Sequence, residues 1–132
     1  MIEEVSIQSR RKSELLNLTA VVQAAVGKSG VREGICLVYL LHTTAGILVG
    51  EDEIGLTSDL MQTLERLVPE RADYRHSDGN AHAHIKAGLI GASKEFVVRG
   101  GQLVIGTWQA ILLCEFDGPK NRKVLIEISG ER

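Results

Sequence analysis

The sequence predicts a single α+β domain over residues 1–132, with two or three helices and a strand-rich last third. Three observations carry this prediction. Apolar residues recur at helical spacing in segments 15–26 and 60–68. Segment 35–41 is a continuous apolar run and segment 110–116 is an apolar run interrupted only by Glu115, and such runs are typical of buried strands. Helical and strand segments do not alternate regularly, and this order favours an α+β fold over repeated βαβ units.

The first third is expected to hold two strands and one helix. Residues 4–8 alternate polar and apolar side chains and predict an edge strand. Ser13 is expected to cap a helix that ends at Gly27 and Gly30. Gly34 opens an apolar run that predicts a central strand buried on both faces and ending at His42.

The middle third is expected to be mainly helical. One helix is predicted to start at Thr57 or Ser58 and to end before Pro69, and a polar loop follows over 70–80. Segment 80–91 reads either as a helix from Asn80 to Gly91 or as a strand with His82 and His84 on one face. We prefer the helix.

The last third is expected to form a hairpin and two further strands. Gly100 and Gly101 lie between two short strand patterns and predict the hairpin turn. Residues 117–119 (Asp-Gly-Pro) predict a turn after the apolar run, and alternation over 124–129 predicts a final strand.

Composition points to a small cytoplasmic protein. The chain carries 15 basic and 17 acidic residues without a long basic stretch, so neither a nucleic acid nor an anionic membrane is an indicated partner. The longest apolar run is far shorter than the roughly 20 residues of a membrane span. The amino terminus begins acidic, unlike a signal peptide. Cys36 and Cys114 lie in apolar runs and are expected to be buried, reduced thiols.

All four histidines lie between positions 42 and 84. Imidazole is a common zinc ligand, and sites often form where rigid elements meet loops, as expected for His42 and His76. The spacing matches neither HExxH nor a zinc finger, so unconnected surface histidines are the alternative. If segment 80–91 is helical, His82 points about 200° away from His84 and is the expected bystander.

Carboxylates and small polar turns add further candidates. Glu51 begins an acidic triplet that is either a general base or part of a solvated loop. Glu115 and Asp117 share a face, and either act in a site or pair with Lys120 and Arg122.

Two features would suit a bound anion or a flat ring. A helix that begins after Asn80 would offer free backbone N–H groups to an anion. The turn at Gly106 and Thr107 would let a ligand approach the backbone closely. Trp108, beside Gln109, could stack on a flat ring, although a core position is the default for a single tryptophan.

Taken together, these segments resemble the YjbQ family over nearly the whole chain. The resemblance rests on several blocks in order: His42-Thr43-Thr44-Ala45-Gly46, Glu51, Tyr74-Arg75-His76, Asp78-Gly79-Asn80, Ala83-His84-Ile85-Lys86-Ala87, Gly91-Ala92-Ser93, Gly106-Thr107-Trp108-Gln109 and Glu115-Phe116-Asp117-Gly118-Pro119. It implies a mostly antiparallel, bifurcated or sandwich-like sheet, and a homotrimer whose histidine cluster lies near a subunit boundary.

The resemblance also implies roles for individual residues. Glu51 and His84 are expected to be catalytic, and a divalent metal, zinc first, is expected on His42, His76 and His84. A small phosphorylated molecule is expected to contact Asn80, Thr107, Trp108, Gln109 and Arg122. Two positions depart from the family: Gly50 stands where Asn is usual, and Lys120 where Arg is usual, which loses a bidentate donor.

Three functions follow as hypotheses. The first is a thiamine-phosphate-synthase-like transferase that joins a pyrimidine methyl diphosphate to a thiazole phosphate, possible as a side activity of the family. The second is metal-assisted hydrolysis of a small phosphorylated metabolite, with Glu51 as the base. The third is a trimeric metal- or anion-binding protein without catalysis.

Overall fold

A computed structural model describes all residues from Met1 to Arg132 and shows a mostly antiparallel α+β domain. The strands are β1 (Ile2–Gln8), β2 (Glu14–Asn17), β3 (Glu33–Leu40), β4 (Ala45–Gly50), β5 (Ser93–Arg99), β6 (Gln102–Leu103), β7 (Ala110–Glu115) and β8 (Asn121–Glu131), and the helices are α1 (Thr19–Ser29), α2 (Ile54–Leu67) and α3 (Ala81–Ile90). One sheet has the order β1-β8-β3-β5-β6 and the other the order β2-β7-β4. The predicted fold class is confirmed.

The two sheets face each other and form the main core with α1. Val38 and Ile126 of the five-stranded sheet belong to the same buried cluster as Ile47 and Leu113 of the three-stranded sheet. A second, smaller cluster lies on the opposite face of the three-stranded sheet, where α2 and α3 pack against Phe116. Every residue of β7 is therefore buried, because this strand has a sheet on one face and helices on the other.

The helix predicted to start at Ser13 begins only at Thr19. Residues 14–17 form β2, which pairs with β7 in antiparallel register. A strand sends successive side chains to opposite faces, so Leu16 reaches the main core and Leu15 the smaller cluster. Tertiary pairing thus overrides the local helical spacing, and Asn17 Oδ1 accepts the Thr19 N–H at 2.9 Å where the helix begins.

β3 is buried on one face only, and the expectation of burial on both faces is wrong. Cys36, Val38 and Leu40 point into the core. Ile35 and Tyr39 point outward, with 45% and 41% of their surfaces exposed. The outer face of the five-stranded sheet is therefore uncovered and partly apolar.

The predicted helix from Asn80 to Gly91 and the hairpin at Gly100 and Gly101 are confirmed. Both hairpin glycines have positive φ, at 60° and 77°, as a primed turn requires. α2 begins at Ile54, before the predicted Thr57, because the Glu53 carboxylate accepts the first free N–H groups of the helix. Strand β4 had no counterpart among the sequence predictions.

A buried ion pair joins the two sheets. Arg122 of β8 donates from Nε to Glu115 Oε1 of β7 at 2.8 Å, and its Nη2 donates to Oε2 of the same carboxylate. Nη2 also donates to Thr44 Oγ1 at 2.9 Å, and Ser9 Oγ donates to Glu115 Oε1 at 2.6 Å. Four separate segments therefore meet at one carboxylate and one guanidinium.

We predict that Arg122→Met destabilises the protein by about 3–5 kcal/mol, because it leaves a buried carboxylate without its cation. Urea unfolding followed by circular dichroism measures the change. Lys123→Met is the matched control, since Lys123 is exposed on the next position of β8. A loss below about 1 kcal/mol, the size typical of an exposed pair, would contradict the structural role.

The same ion pair predicts that the stability of the protein falls at acid pH. Burial raises the pKa of Glu115, but hydrogen bonds from Arg122, Ser9 and the Asp117 N–H outweigh it, so the pKa lies below its ordinary 4.5. The unfolded state then binds more protons, and the stabilisation present above pH 4.5 is lost as pH falls through the folded-state pKa. Arg122→Met is expected to make the free energy of unfolding depend less on pH in this range.

Candidate functional site

Two of the predicted histidines line one cavity beside α3. His42 follows β3 and His84 lies on α3, and both line a cavity of about 350 Å³. Small residues, Gly88, Gly91 and Ala92, form its far wall and keep it open. The sequence expectation that these two histidines lie near each other therefore matches the geometry.

His84 also lines an adjoining cavity of about 270 Å³ together with His76. The two rings meet edge to face with 4.9 Å between their centroids. Arg75 and Ala81 line the same cavity. Three histidines are thus gathered on one side of α3, with His84 shared by both cavities.

The amino-terminal end of α3 has no side-chain cap. Asn80 occupies the cap position, but its side chain is engaged elsewhere. His76 Nε2 lies 3.1 Å from Asn80 Oδ1, and Asn80 Nδ2 donates to Asp117 Oδ2 at 2.9 Å. The N–H groups of Ala83 and His84 donate to the Asn80 carbonyl, and those of Ala81 and His82 have no intrahelical partner, so this end offers two donors and a partial positive charge to an anion.

Asp117 is held in its ionised form. Burial raises its pKa, but hydrogen bonds from Lys120 and Asn80 lower the pKa by more, so it lies below its ordinary value. Lys120 Nζ lies 2.7 Å from the same Oδ2 oxygen. Asp117 therefore anchors Asn80, which in turn orients His76. Lys120, one of the two departures from the family, still supplies the cation.

His42 is oriented by the backbone of β8. Its Nε2 accepts the Lys123 N–H at 2.7 Å. Burial lowers the pKa of His42, and the positive charge of Arg122 lowers it further. The ring is therefore neutral at physiological pH, and a neutral ring that accepts at Nε2 carries its proton on Nδ1.

Arg122 does not reach either cavity. It is 1% exposed, and its donors go to Glu115 and Thr44. The residue expected to contact substrate instead supports the segment that carries His42, because Thr44 lies two positions further along the chain. The pairing of Glu115 and Asp117 with Arg122 and Lys120 is the ion-paired alternative of the sequence analysis.

The remaining predicted site residues lie at the opposite end of the three-stranded sheet. Ala45 pairs with Glu115, next to the histidines, whereas Gly50 pairs with Ala110. Five residue steps along β4 span about 17 Å. Glu51 directly follows Gly50 at this far end. The loop of Thr107, Trp108 and Gln109 directly precedes Ala110 at the same end. One chain therefore holds two separate groups of predicted site residues.

Trp108 is 74% exposed, so the default expectation of a core tryptophan is wrong. Its loop is held by Gln109, whose Oε1 accepts the Gly106 N–H at 2.7 Å. Glu51 lies at the edge of an apolar cavity of about 220 Å³ between β4 and α2. A large exposed ring at the same end of the sheet as an exposed carboxylate offers a surface that can contact another molecule.

Comparison with known proteins agrees with the architecture. Residues 3–131 match the family described as UPF0047 protein YjbQ-like. The chain belongs to the YjbQ family. A UPF0047 protein of Methanocaldococcus jannaschii is 35% identical over 100% of this chain and 96% of its own length. One of Archaeoglobus fulgidus is 40% identical over 94% and 98%.

Solved structures of the family share the fold. A YbjQ-like protein of unknown function from Sulfolobus solfataricus superposes with a TM-score of 0.97 at 40% identity, covering 99% of this chain and 97% of that one. An uncharacterised family protein from Clostridium acetobutylicum superposes with a TM-score of 0.94 at 41% identity, covering 96% and 99%. The family relation covers the whole domain.

His42 as arranged offers no lone pair to a zinc ion. No group of three or more His, Cys, Asp or Glu side chains is arranged to hold a metal ion. The Nε2 lone pair of His42 accepts the Lys123 N–H, whereas His76 donates from Nε2 to Asn80 Oδ1 and keeps its lone pair on Nδ1. Ligands to zinc need free lone pairs that converge on one point. The Nδ1–H of His42 suits an acceptor such as a phosphate oxygen better.

Other sequence expectations concern features away from the cavities. Cys36 and Cys114 are buried and free, and burial raises their pKa values to about 11 and about 12. No helix is both long and apolar enough to cross a bilayer. His82 lies on the other face of α3 from His84, bonded to Lys86. The buried Lys86 was missed by sequence reasoning, although its spacing of four from His82 was visible.

We predict that the protein, purified without a histidine tag or chelator, contains far less than stoichiometric zinc, because no three ligands converge. Elemental analysis measures the metal before and after incubation with zinc. Stoichiometric zinc that is lost in each folded variant His42→Ala, His76→Ala and His84→Ala, but kept in His82→Ala, would contradict this prediction and would establish one shared metal site.

Proposed function

We propose that the protein is a transferase that acts on small phosphorylated metabolites in the manner of a thiamine-phosphate synthase. One observation carries the proposal: cationic and neutral N–H donors surround the uncapped end of α3. Arg75, His76 and His84 line the cavity at that end. The guanidinium of Arg75 and the free N–H groups at the end of α3 suit a phosphate or diphosphate group, whereas the His76 N–H is already donated to Asn80 Oδ1.

The proposed reaction joins a pyrimidine methyl diphosphate to a thiazole phosphate. The thiazole nitrogen forms a bond to the methylene carbon, and the C–O bond to the diphosphate breaks with its electron pair leaving on the diphosphate. No proton is removed, so the step needs no general base. It needs stabilisation of the departing negative charge, which preorganised donors supply.

Each residue near α3 has a role in this scheme. Arg75 and the first N–H groups of α3 would hold the diphosphate, and His84, shared by both cavities, would donate to the leaving oxygen. His42 would present its Nδ1–H to the thiazole phosphate in the second cavity. Asn80 would keep His76 in place through its bond to Asp117.

The proposed enzyme is a homotrimer in which one subunit completes the site of the next. Glu51 and Trp108 lie at the far end of β4 and β7 from the histidines, so one chain does not bring them together. A cyclic assembly joins one end of a subunit to the other end of its neighbour. Trp108 would then stack on the pyrimidine, and Glu51 would stabilise positive charge that develops on the methylene carbon.

The uncovered sheet face supports self-association. Ile35 pairs with Val97 across the outer face, and Val97 is 46% exposed. Tyr39 pairs with Leu125 on the same face. An exposed apolar stripe of this kind marks an interaction surface. A cytoplasmic location accords with the proposal, since both cysteines are free thiols.

We predict that the protein forms thiamine phosphate and releases pyrophosphate from the two substrates, as followed by liquid chromatography and a pyrophosphate assay. Arg75→Ala and His84→Ala are expected to lower kcat/KM by about 100-fold or more, because each removes a donor to the leaving group. Arg32→Ala is the control, as another exposed arginine away from the cavities.

Other results would favour the rival functions. Hydrolysis of either substrate alone, lost in Glu51→Gln, would indicate a phosphohydrolase. Thermal stabilisation by the substrates without any turnover would indicate a binding protein that catalyses nothing. Either result would contradict the transferase proposal.

We predict that mixed trimers of Glu51→Gln and His84→Ala subunits regain about a quarter of the parental activity, because a cyclic trimer with random mixing pairs intact halves at that frequency. Each variant alone is expected to be nearly inactive. Activity that stays at the level of the single variants would show that both residues act within one chain.

Light scattering checks the assembly itself. Val97→Lys places a charge on the uncovered face and is expected to shift the trimer toward monomers. Leu67→Lys is the matched control, since Leu67 is 69% exposed at the end of α2. A parental protein that is monomeric at micromolar concentration would contradict the trimer.

A further inference from the structure

A further cavity of about 320 Å³ lies on the other side of α3 from His84. It is bounded by α2, α3 and the connection from β1 to β2. Three apolar side chains line it, Met61, Leu64 and Phe116. Three charged side chains, Lys86, Glu65 and Glu70, and two polar ones, Ser13 and Gln62, complete the lining. Apolar side chains combined with polar groups that converge on the same space are a feature of small-molecule sites.

Lys86 places a buried positive charge in this cavity. It is 4% exposed. Its Nζ donates to Glu65 Oε1 at 2.8 Å and lies 3.0 Å from His82 Nδ1. An ammonium group has three donors, and the protein supplies acceptors for two of them. One N–H of Lys86 therefore remains for another acceptor.

His82 adds a second donor without a partner. It is 2% exposed, and its Nε2 has no hydrogen-bond partner in the protein. Because Nδ1 accepts from Lys86, the neutral ring carries its proton on Nε2. Burial lowers the pKa of His82, and the charge of Lys86 lowers it further, which keeps the ring neutral.

Packing does not account for this polar pair. Ala83 and Ala87 supply the contacts between α3 and the smaller core cluster. A buried ammonium group and an unpaired ring N–H are both costly to desolvate, and apolar side chains of similar volume would avoid the cost. The remaining Lys86 N–H is better explained by an acceptor group that binds in the cavity.

The charges around the cavity balance. Glu65 accepts hydrogen bonds from Lys86 and from the Glu70 N–H, and these bonds lower its pKa. A hydrogen bond from Lys12 lowers the pKa of Glu70. Two carboxylates and one ammonium group therefore line the space, and Lys12 pairs with Glu70 outside the lining. Two carboxylates at the edge repel a free anion, and a buried cation repels a free amine.

We propose that this cavity binds a small zwitterion of the α-amino-acid type with an apolar side chain. Its carboxylate accepts the remaining Lys86 N–H, and its ammonium group lies against the carboxylates of Glu65 and Glu70. Its side chain packs on Met61, Leu64 and Phe116. This site is separate from the phosphate-binding cavities and does not depend on the proposed transferase activity.

Three probes of matched length test the proposal: norleucine, hexanoate and pentylamine. Hexanoate lacks the amine and pentylamine lacks the carboxylate. Binding to the full chain is measured by calorimetry and by NMR shifts of the methyl groups of Met61 and Leu64. We expect norleucine to bind and to shift these signals, and each truncated probe to bind about tenfold more weakly or worse, since each loses a charge-assisted contact.

Variants assign the two ends of the ligand. Lys86→Met keeps the length of the side chain and is expected to abolish norleucine binding, whereas Lys28→Met, in another ion-paired lysine, leaves it unchanged. If Lys86→Met does not fold, Glu70→Gln serves instead. That variant is expected to weaken norleucine and to strengthen hexanoate, because it removes a repelling carboxylate.

Four results would overturn the proposal. They are no binding of norleucine at millimolar concentration, equal binding of norleucine and hexanoate, norleucine binding retained in Lys86→Met, or Lys86-dependent binding of inorganic phosphate in preference to norleucine. The last result would mean that the cavity recognises an anion rather than a zwitterion.

Discussion

The buried pair of Arg122 and Glu115 is the interaction on which the rest of the structure depends. The guanidinium comes from the five-stranded sheet and the carboxylate from the three-stranded sheet, so the pair fixes how the two sheets face each other. Its remaining hydrogen bonds continue toward the candidate site. Arg122 donates to Thr44, which lies two positions after His42. Glu115 accepts the Asp117 N–H and so positions Asp117, whose side chain binds Asn80. A buried charge that binds four segments is costly to build, and it specifies one arrangement of those segments.

The parts of the fold that follow local rules could be predicted from the sequence. α3 begins and ends where Asn80 and Gly91 indicated, and the hairpin turns at two glycines with positive φ. The errors arose where a distant strand decides the outcome. Residues 14–17 have helical spacing, yet β7 needs a partner on that edge, and pairing there sends Leu15 and Leu16 into different cores.

In the candidate site, too, local features could be predicted from the sequence and long-range features could not. Clustering of histidines in the sequence indicated the cavities beside α3, because the helix and the end of β3 are both local features. The separation of Glu51 from those histidines was not visible, since it follows from the extension of the unpredicted β4. The burial of Arg122 was also hidden, because a charged residue in an alternating strand gives no sign of whether its inward position meets a partner carboxylate. Lys86 was missed for the same reason: only the packing of α2 against α3 shows that its ammonium group is enclosed.

The central position of β7 has a consequence for how the molecule fluctuates. This strand has a neighbour on each edge and cover on both faces, and all six of its residues are buried. Its amide hydrogens can exchange with solvent only when the whole domain opens, whereas the loop over 70–80 can open by itself. Glu115 stands at the end of this most persistent segment. We therefore expect the frame that holds His42 and His84 to persist through openings of the loop that carries His76.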